Sequence, residues 1–170
     1  MGLLDRILFR EYSLGELMNI SNERQDKSTN CSVNLVKTFH MIKPESLLDK
    51  FRSLFFNQPT LTMYYIIFKF RVTSDTGHSY DVLVQTSPDY DITNWESNKV
   101  KIYCSCNDFK FRSAYNLYQR GNLFITDRIQ TNLGPAMTDK PKRGMSPCCK
   151  HCFAVLKYLT ENYSNLMKTI

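Results

Sequence analysis

Five of the six cysteines of this 170-residue chain, and one of its three histidines, fall in two short clusters, Cys104-Ser-Cys106 and Cys148-Cys149-Lys-His151-Cys152. Thiolate sulfur and imidazole nitrogen are the ligands zinc prefers, four at a time and tetrahedrally in structural sites, and such a site contributes folding energy outright. The two clusters therefore point to the two halves of one structural zinc site. A catalytic zinc needs an open position and a neighbouring group that handles protons. The nearest carboxylates in the chain, Asp108, Asp139 and Glu161, stand at no spacing that matches such a mechanism. Cys104-x-Cys106 could also be a redox pair, but the second cluster makes a metal the simpler account. The chain has no phosphate loop, no Gly-x-Ser-x-Gly and no paired-carboxylate motif, so neither a catalytic residue nor a small-molecule substrate is expected.

Ligands need elements to hold them. Val100-Lys-Ile-Tyr103 reads as a strand running into Cys104, and the period of two puts the sulfurs of Cys104 and Cys106 on one side of the backbone. The second cluster opens an apolar pattern of Phe153, Val155, Leu156 and Leu159, with Ala154 and Tyr158 beside them, that predicts a helix over residues 151–163. Residues two apart in a helix do not face each other. Cys149 and His151 can therefore share a metal only if Cys149 lies at or before the helix start, a placement that Pro147 favours. Cys148 with His151, Cys149 with Cys152, and Cys148 with Cys152 are the competing pairs, at helical spacings of three or four. Spacing alone does not choose, and Cys148 and Cys152 stay as alternates.

Cys-x-Cys on a strand, a long gap, then Cys-x-His opening a helix resembles the SWIM-type zinc finger. That resemblance implies Cys104, Cys106, Cys149 and His151 as the ligands and structural zinc as the cofactor. The wider text, Cys104-Ser-Cys-Asn-Asp-Phe-Lys-Phe-Arg112 and Cys149-Lys-His-Cys-Phe-Ala-Val-Leu-Lys-Tyr-Leu159, is also similar to a group of structural proteins of tailed bacteriophages. These carry a Cys-Ser-Cys-x-Asp-Phe block and a Cys-Lys-His helix. The likeness covers about the last 70 residues. It implies a virion protein of the tail, baseplate or neck, made in the host cytoplasm and partnered by other virion proteins in a symmetric, multi-copy assembly.

Before the clusters, residues 2–9 show Leu3, Leu4, Ile7 and Leu8 at helical spacing, and Ser13-Leu-Gly-Glu16 has the form of a capping box for a second short helix to about residue 20. Residues 21–30 are polar and read as a loop, so residues 1–30 are expected to form an N-terminal helical or extended arm. Residues 31–37 alternate weakly and read as a candidate strand, and residues 45–56 carry a helical stripe of Leu47, Leu48, Phe51, Leu54 and Phe55. Residues 60–73, 79–86 and 98–104 are the clearest strands, with Asp75-Thr-Gly-His78 as the turn between the first two. Short connections favour an antiparallel meander of these three. After Cys106 a helix is predicted to about Arg120 with Gly121 as its stop, then a short strand over 122–129 and a long non-periodic loop over 130–147. The expected architecture is a single α+β domain over residues 31–170, closed by a zinc module over residues 98–163.

With 42% hydrophobic residues the chain reads as globular, and no apolar run approaches the length of a membrane span. No charged segment leads into an apolar stretch and cleavage site at the start, so reduced thiols, rather than a disulfide framework, are expected. Charge is uneven. Residues 1–100 hold 11 Lys and Arg against 12 Asp and Glu, whereas residues 101–170 hold 11 against 4. The basic half contains Lys140, Lys142 and Arg143 in the long loop, a candidate contact surface for an acidic protein or for nucleic acid. DNA or RNA binding by a SWIM-type module is accordingly the alternative function.

Overall fold

The computed structural model describes residues 11–42, 64–86, 91, 93–141 and 146–168. The helical patterns at residues 2–9 and 45–56, the first residues of the strand expected over 60–73, and the loop residues Lys142 and Arg143 lie outside these. Four strands form one antiparallel sheet in chain order: β1 (Ser32–Ile42), β2 (Tyr64–Thr73), β3 (Ser79–Thr86) and β4 (Val100–Cys104). The expected meander is present but has four strands rather than three. Its extra member, β1, runs well past the weak alternation that marks its first half. Ladder bonds to β2 carry it, with an extra residue at Val36 between the pairs Leu35 with Phe70 and Lys37 with Lys69. Such a bulge lets a strand of irregular pattern keep its register on either side.

Alternation sets the two faces. Phe68, Phe70 and Val72 on β2, Val82 and Val84 on β3, and Val100, Ile102 and Cys104 on β4 are buried on one side. On the other side Asp81 pairs with Lys69 and Arg71, each at 3.0 Å. The β2–β3 turn closes with Ser74 N–H donating to the His78 carbonyl at 2.9 Å, and Gly77 takes the left-handed φ of 79° that the turn requires. Across the apolar face lies the last helix (Lys150–Lys168), which touches all four strands and sets Tyr158 edge-on to Phe70 at 5.7 Å between ring centroids.

The helix Leu14–Ile20 begins on the expected capping box, with Glu16 N–H donating to Ser13 Oγ at 3.2 Å and Ser13 N–H to Glu16 Oε2 at 2.9 Å. Its Leu14 and Leu17 are fully buried in the same core as the sheet. Residues 21–30 are helical turns, Asn22–Arg24 and Gln25–Ser28, where a loop was expected. The helix after Cys106 runs through a π-helical stretch, Phe109–Ser113, into Ala114–Arg120, and Gly121 ends it at φ 77° as its position implied.

Two expectations beyond that point are overturned. The strand expected over 122–129 is reduced to a single parallel bridge of Leu123 with Ile102, and helix Asp127–Leu133 follows. The Thr126 side chain accepts from Ile129 N–H at 3.3 Å and starts this helix, which continues as the tighter turn Gly134–Met137. The long loop expected over 130–147 is therefore helical in its first part. Ile129, Leu133 and Met137, four residues apart, are all buried. That stripe is easily passed over among Thr, Gly and Pro.

Asn122 joins three segments. Its Nδ2 donates to the carbonyls of Tyr12 at 2.9 Å and Val100 at 2.7 Å, and its Oδ1 accepts from Tyr12 N–H at 2.7 Å. The side chain is completely buried, so truncation strands several backbone groups away from water. Asn122→Ala is expected to cost about 2–3 kcal/mol of unfolding free energy, measured by urea denaturation. Asn132→Ala, at an exposed position, should stay within about 0.5 kcal/mol of the parent.

Candidate metal centre

β4 delivers the first two sulfurs. Cys104, opposite Val82, ends the strand on the core side. Ser105 points away and prolongs the ladder by one step, its N–H donating to the Asp81 carbonyl at 3.0 Å and its Oγ accepting from Asp81 N–H at 3.0 Å. The chain returns to the core side at Cys106, as strand alternation predicts. There it turns into the next helix: Lys110 N–H donates to the Cys106 carbonyl at 3.2 Å and Phe109 N–H to Cys106 Sγ at 3.3 Å.

The second cluster repeats this device. Phe153 N–H donates to the Cys149 carbonyl at 3.0 Å and Cys152 N–H to Cys149 Sγ at 3.4 Å. Cys149 thus sits at the cap of the last helix, whose first residue is Lys150. This is the placement that lets Cys149 and His151 reach one point despite being two apart. Ser146 sets up the approach, its N–H donating to the Arg112 carbonyl at 3.3 Å and its Oγ to the Cys148 carbonyl at 2.9 Å. Outside the centre, Lys150 and Asp75 pair at 2.8 Å and join the helix start to the β2–β3 turn.

Cys104 Sγ, Cys106 Sγ, Cys149 Sγ and a ring nitrogen of His151 all lie within 4.8 Å of one another, 47 residues of chain after the first being needed to bring the last. The residues are 1, 4, 0 and 4% exposed in that order, so the donor set is closed to solvent. His151 Nδ1 is 4.0 Å from Cys104 Sγ, a few tenths of an ångström beyond the nitrogen–sulfur edge of about 3.6 Å that tetrahedral zinc–sulfur and zinc–nitrogen bonds imply. Three thiols and an imidazole at these separations could bind a metal ion, in keeping with a zinc finger. Two helix starts also present backbone N–H groups to the sulfurs, an arrangement that favours thiolate.

Charge at the centre is unequal. Burial pushes the Cys104 thiol well above its ordinary value, and hydrogen bonding with the neighbouring sulfurs adds to the rise. At Cys106 the Cys104 thiol acts downward, but the Cys149 sulfur and burial outweigh it and carry the group up to about 12. Burial would raise Cys149 too, yet hydrogen bonds from Cys104, Cys106, Cys152 and His151 hold it well below the usual thiol range. The hydrogen bonds of the neighbouring thiols and of His151 thus converge on Cys149.

The alternates separate. Cys148 is fully buried but turned toward Ser21 and Arg24, and burial raises its thiol to about 12. Cys152 lies against the sulfurs of Cys104 and Cys149 and stands outside the set of four. Cys31 is half-buried, and all six cysteines are free thiols. Lys140 is exposed, and among the carboxylates Asp108 is held by Arg112 at 3.1 Å while Asp139 and Glu161 face solvent. Sequence reasoning missed Tyr80, whose ring stacks on His151 at 4.4 Å between centroids. Its signal was parity, since it shares a strand face with Val82 and Val84.

Cys104→Ser and Cys106→Ser are each expected to lower metal affinity by at least 10-fold, whereas Cys148→Ala and Cys31→Ala should leave one metal per chain, read by elemental analysis of the purified variants. Uptake of zinc at neutral pH should release protons, because the raised thiols of Cys104 and Cys106 must ionise to bind. Affinity is therefore expected to fall as pH is lowered, measurable with a competing chelator. No family model matches this chain, and no curated protein or solved structure is significantly similar to it.

Proposed function

We propose that the chain is a non-enzymatic structural protein in which zinc, held by Cys104, Cys106, Cys149 and His151, clasps the sheet to the last helix, and that it assembles into the virion of a tailed phage at the tail, baseplate or neck. The observation that carries the structural role is the closed donor set: four ligand atoms within 4.8 Å on residues at most 4% exposed. A substrate would have no route to an ion held there. SWIM-type topology is supported by Cys-x-Cys at a strand end and Cys-x-His at a helix start. The virion assignment rests on the resemblance of the Cys-Ser-Cys-x-Asp-Phe block and the Cys-Lys-His helix. The other virion proteins are then its partners, in a symmetric multi-copy assembly.

Binding to DNA or RNA is the second reading, favoured by one feature of the basic half. Phe111 is 61% exposed beside a cleft of about 730 Å³, with Lys110 5.8 Å from its ring centroid and Lys140 on the same rim. An exposed ring flanked by ammonium groups suits a stacked base and its phosphates.

The two readings separate in solution. For the structural one, a chelator is expected to abolish the cooperative unfolding transition followed by circular dichroism, and the protein should be found at fixed copy number in purified particles. A chain that keeps its melting curve after complete metal removal would falsify the clasp. For the second reading, affinity for mixed-sequence DNA should fall steeply between about 50 and 200 mM salt, and Phe111→Ala should weaken it. Absent or salt-insensitive binding sets that reading aside.

A further inference from the structure

The centre has a fifth donor. Cys152 is fully buried one helical turn beyond Cys149, its N–H donates to Cys149 Sγ at 3.4 Å, and its thiol interacts with those of Cys104 and Cys149. His151 meets the same two residues: its Nδ1 is 4.0 Å from Cys104 Sγ, and it hydrogen-bonds to Cys149. The imidazole and the Cys152 thiol thus flank one edge of the donor set, whereas Cys106 completes it from elsewhere.

The three positions differ in how firmly they are held. Cys106 and Cys149 sulfurs each accept a backbone N–H from the helix they cap. His151 has no such tether. Its Nε2 is buried without a hydrogen-bond partner among the described residues, and the ring rests on Tyr80. Metal-bound imidazoles are ordinarily oriented by a carboxylate or carbonyl on the far nitrogen. Among the described residues no group gives His151 Nε2 that support, and the group beside the imidazole is a thiol.

We infer that Cys152 is a reserve ligand that replaces His151, converting the centre from three sulfurs and a nitrogen to four sulfurs, and that thiophilic ions of the cadmium class are taken in the four-sulfur form. The inference rests on the metal centre proposed above. Zinc accepts both donor sets, while softer ions favour thiolate. The Cys152 backbone lies in the first turn of the helix, beside His151 and one turn beyond Cys149.

The test uses the full-length chain, reduced and stripped of metal, with cobalt(II) as optical probe and cadmium(II) as thiophilic ion. Thiolate-to-metal charge transfer counts bound sulfurs. His151→Ala is expected to retain one cobalt per chain with a four-sulfur spectrum, and Cys152→Ser to keep the three-sulfur spectrum of the parent. The double variant His151→Ala/Cys152→Ser should bind about 100-fold or more weakly than His151→Ala. Equal affinity of the single and double variants, or a three-sulfur spectrum for His151→Ala, overturns the inference. Should His151→Ala fail to fold, the parent chain decides: its cadmium-113 resonance is expected in the four-sulfur range, and a three-sulfur, one-nitrogen position overturns the idea. A parent that takes up neither ion overturns the metal centre and this inference together, whereas loss of metal in His151→Ala alone removes only the reserve role.

Discussion

Burying three thiols and an imidazole against one another is the constraint around which this molecule is arranged. Burial away from water raises the Cys104 and Cys106 thiols, while the hydrogen bonds of its neighbours lower Cys149. An ion at their centre would turn the cost of that burial into attraction, since each ligand would then be needed in its deprotonated form. The same contact joins the end of β4 to the start of the last helix, two segments 47 residues apart in the chain. The tertiary fold and the donor set are in this sense one arrangement.

The surroundings serve that junction. Ser105 and Asp81 extend the ladder past the end of β4, so the strand stays straight through Cys104 and turns only at Cys106. Both capping cysteines give their carbonyls and sulfurs to the first N–H groups of the helices they begin, so the chain bends at each ligand without stranding backbone polar groups. Asn122 performs the same duty along β4, holding Tyr12 and Val100 with one buried amide. Behind these polar contacts the aromatic and branched residues of the sheet pack on the last helix, and the centre is walled off from solvent. No helix among the described residues is long and apolar enough to cross a membrane.

Much of this was legible in advance, for reasons that differ by residue. Strand parity announced that Cys104 and Cys106 share a side, because alternation needs no partner to hold. Gly121 and the Ser13–Glu16 box marked helix ends through local backbone chemistry, which acts over a few residues. The unread parts depend on distant neighbours. The first part of β1 shows as a weak alternation, but its extension to Ile42 and its place in the sheet come from pairing with β2. Helix Asp127–Leu133 was hidden because its stripe is a single line of Ile129, Leu133 and Met137 set among turn-forming residues. Asn122 reads as the first residue of a short strand until three segments close around it.

The types and spacings of Cys104, Cys106, Cys148, Cys149, His151 and Cys152 determined, from sequence alone, that soft nitrogen and sulfur donors would gather in two places, one on a strand and one at a helix start. Which of the second group would serve was a matter for tertiary structure. The helix begins at Lys150, leaving Cys149 in its cap where the backbone can aim the sulfur inward beside His151. Cys148, one residue earlier, is turned toward Ser21 and Arg24, and Cys152, one turn later, lies alongside. Adjacent residues at a helix start point in divergent directions, so a boundary shift of one residue exchanges the ligands, and only packing of the helix on the sheet settles where that boundary falls.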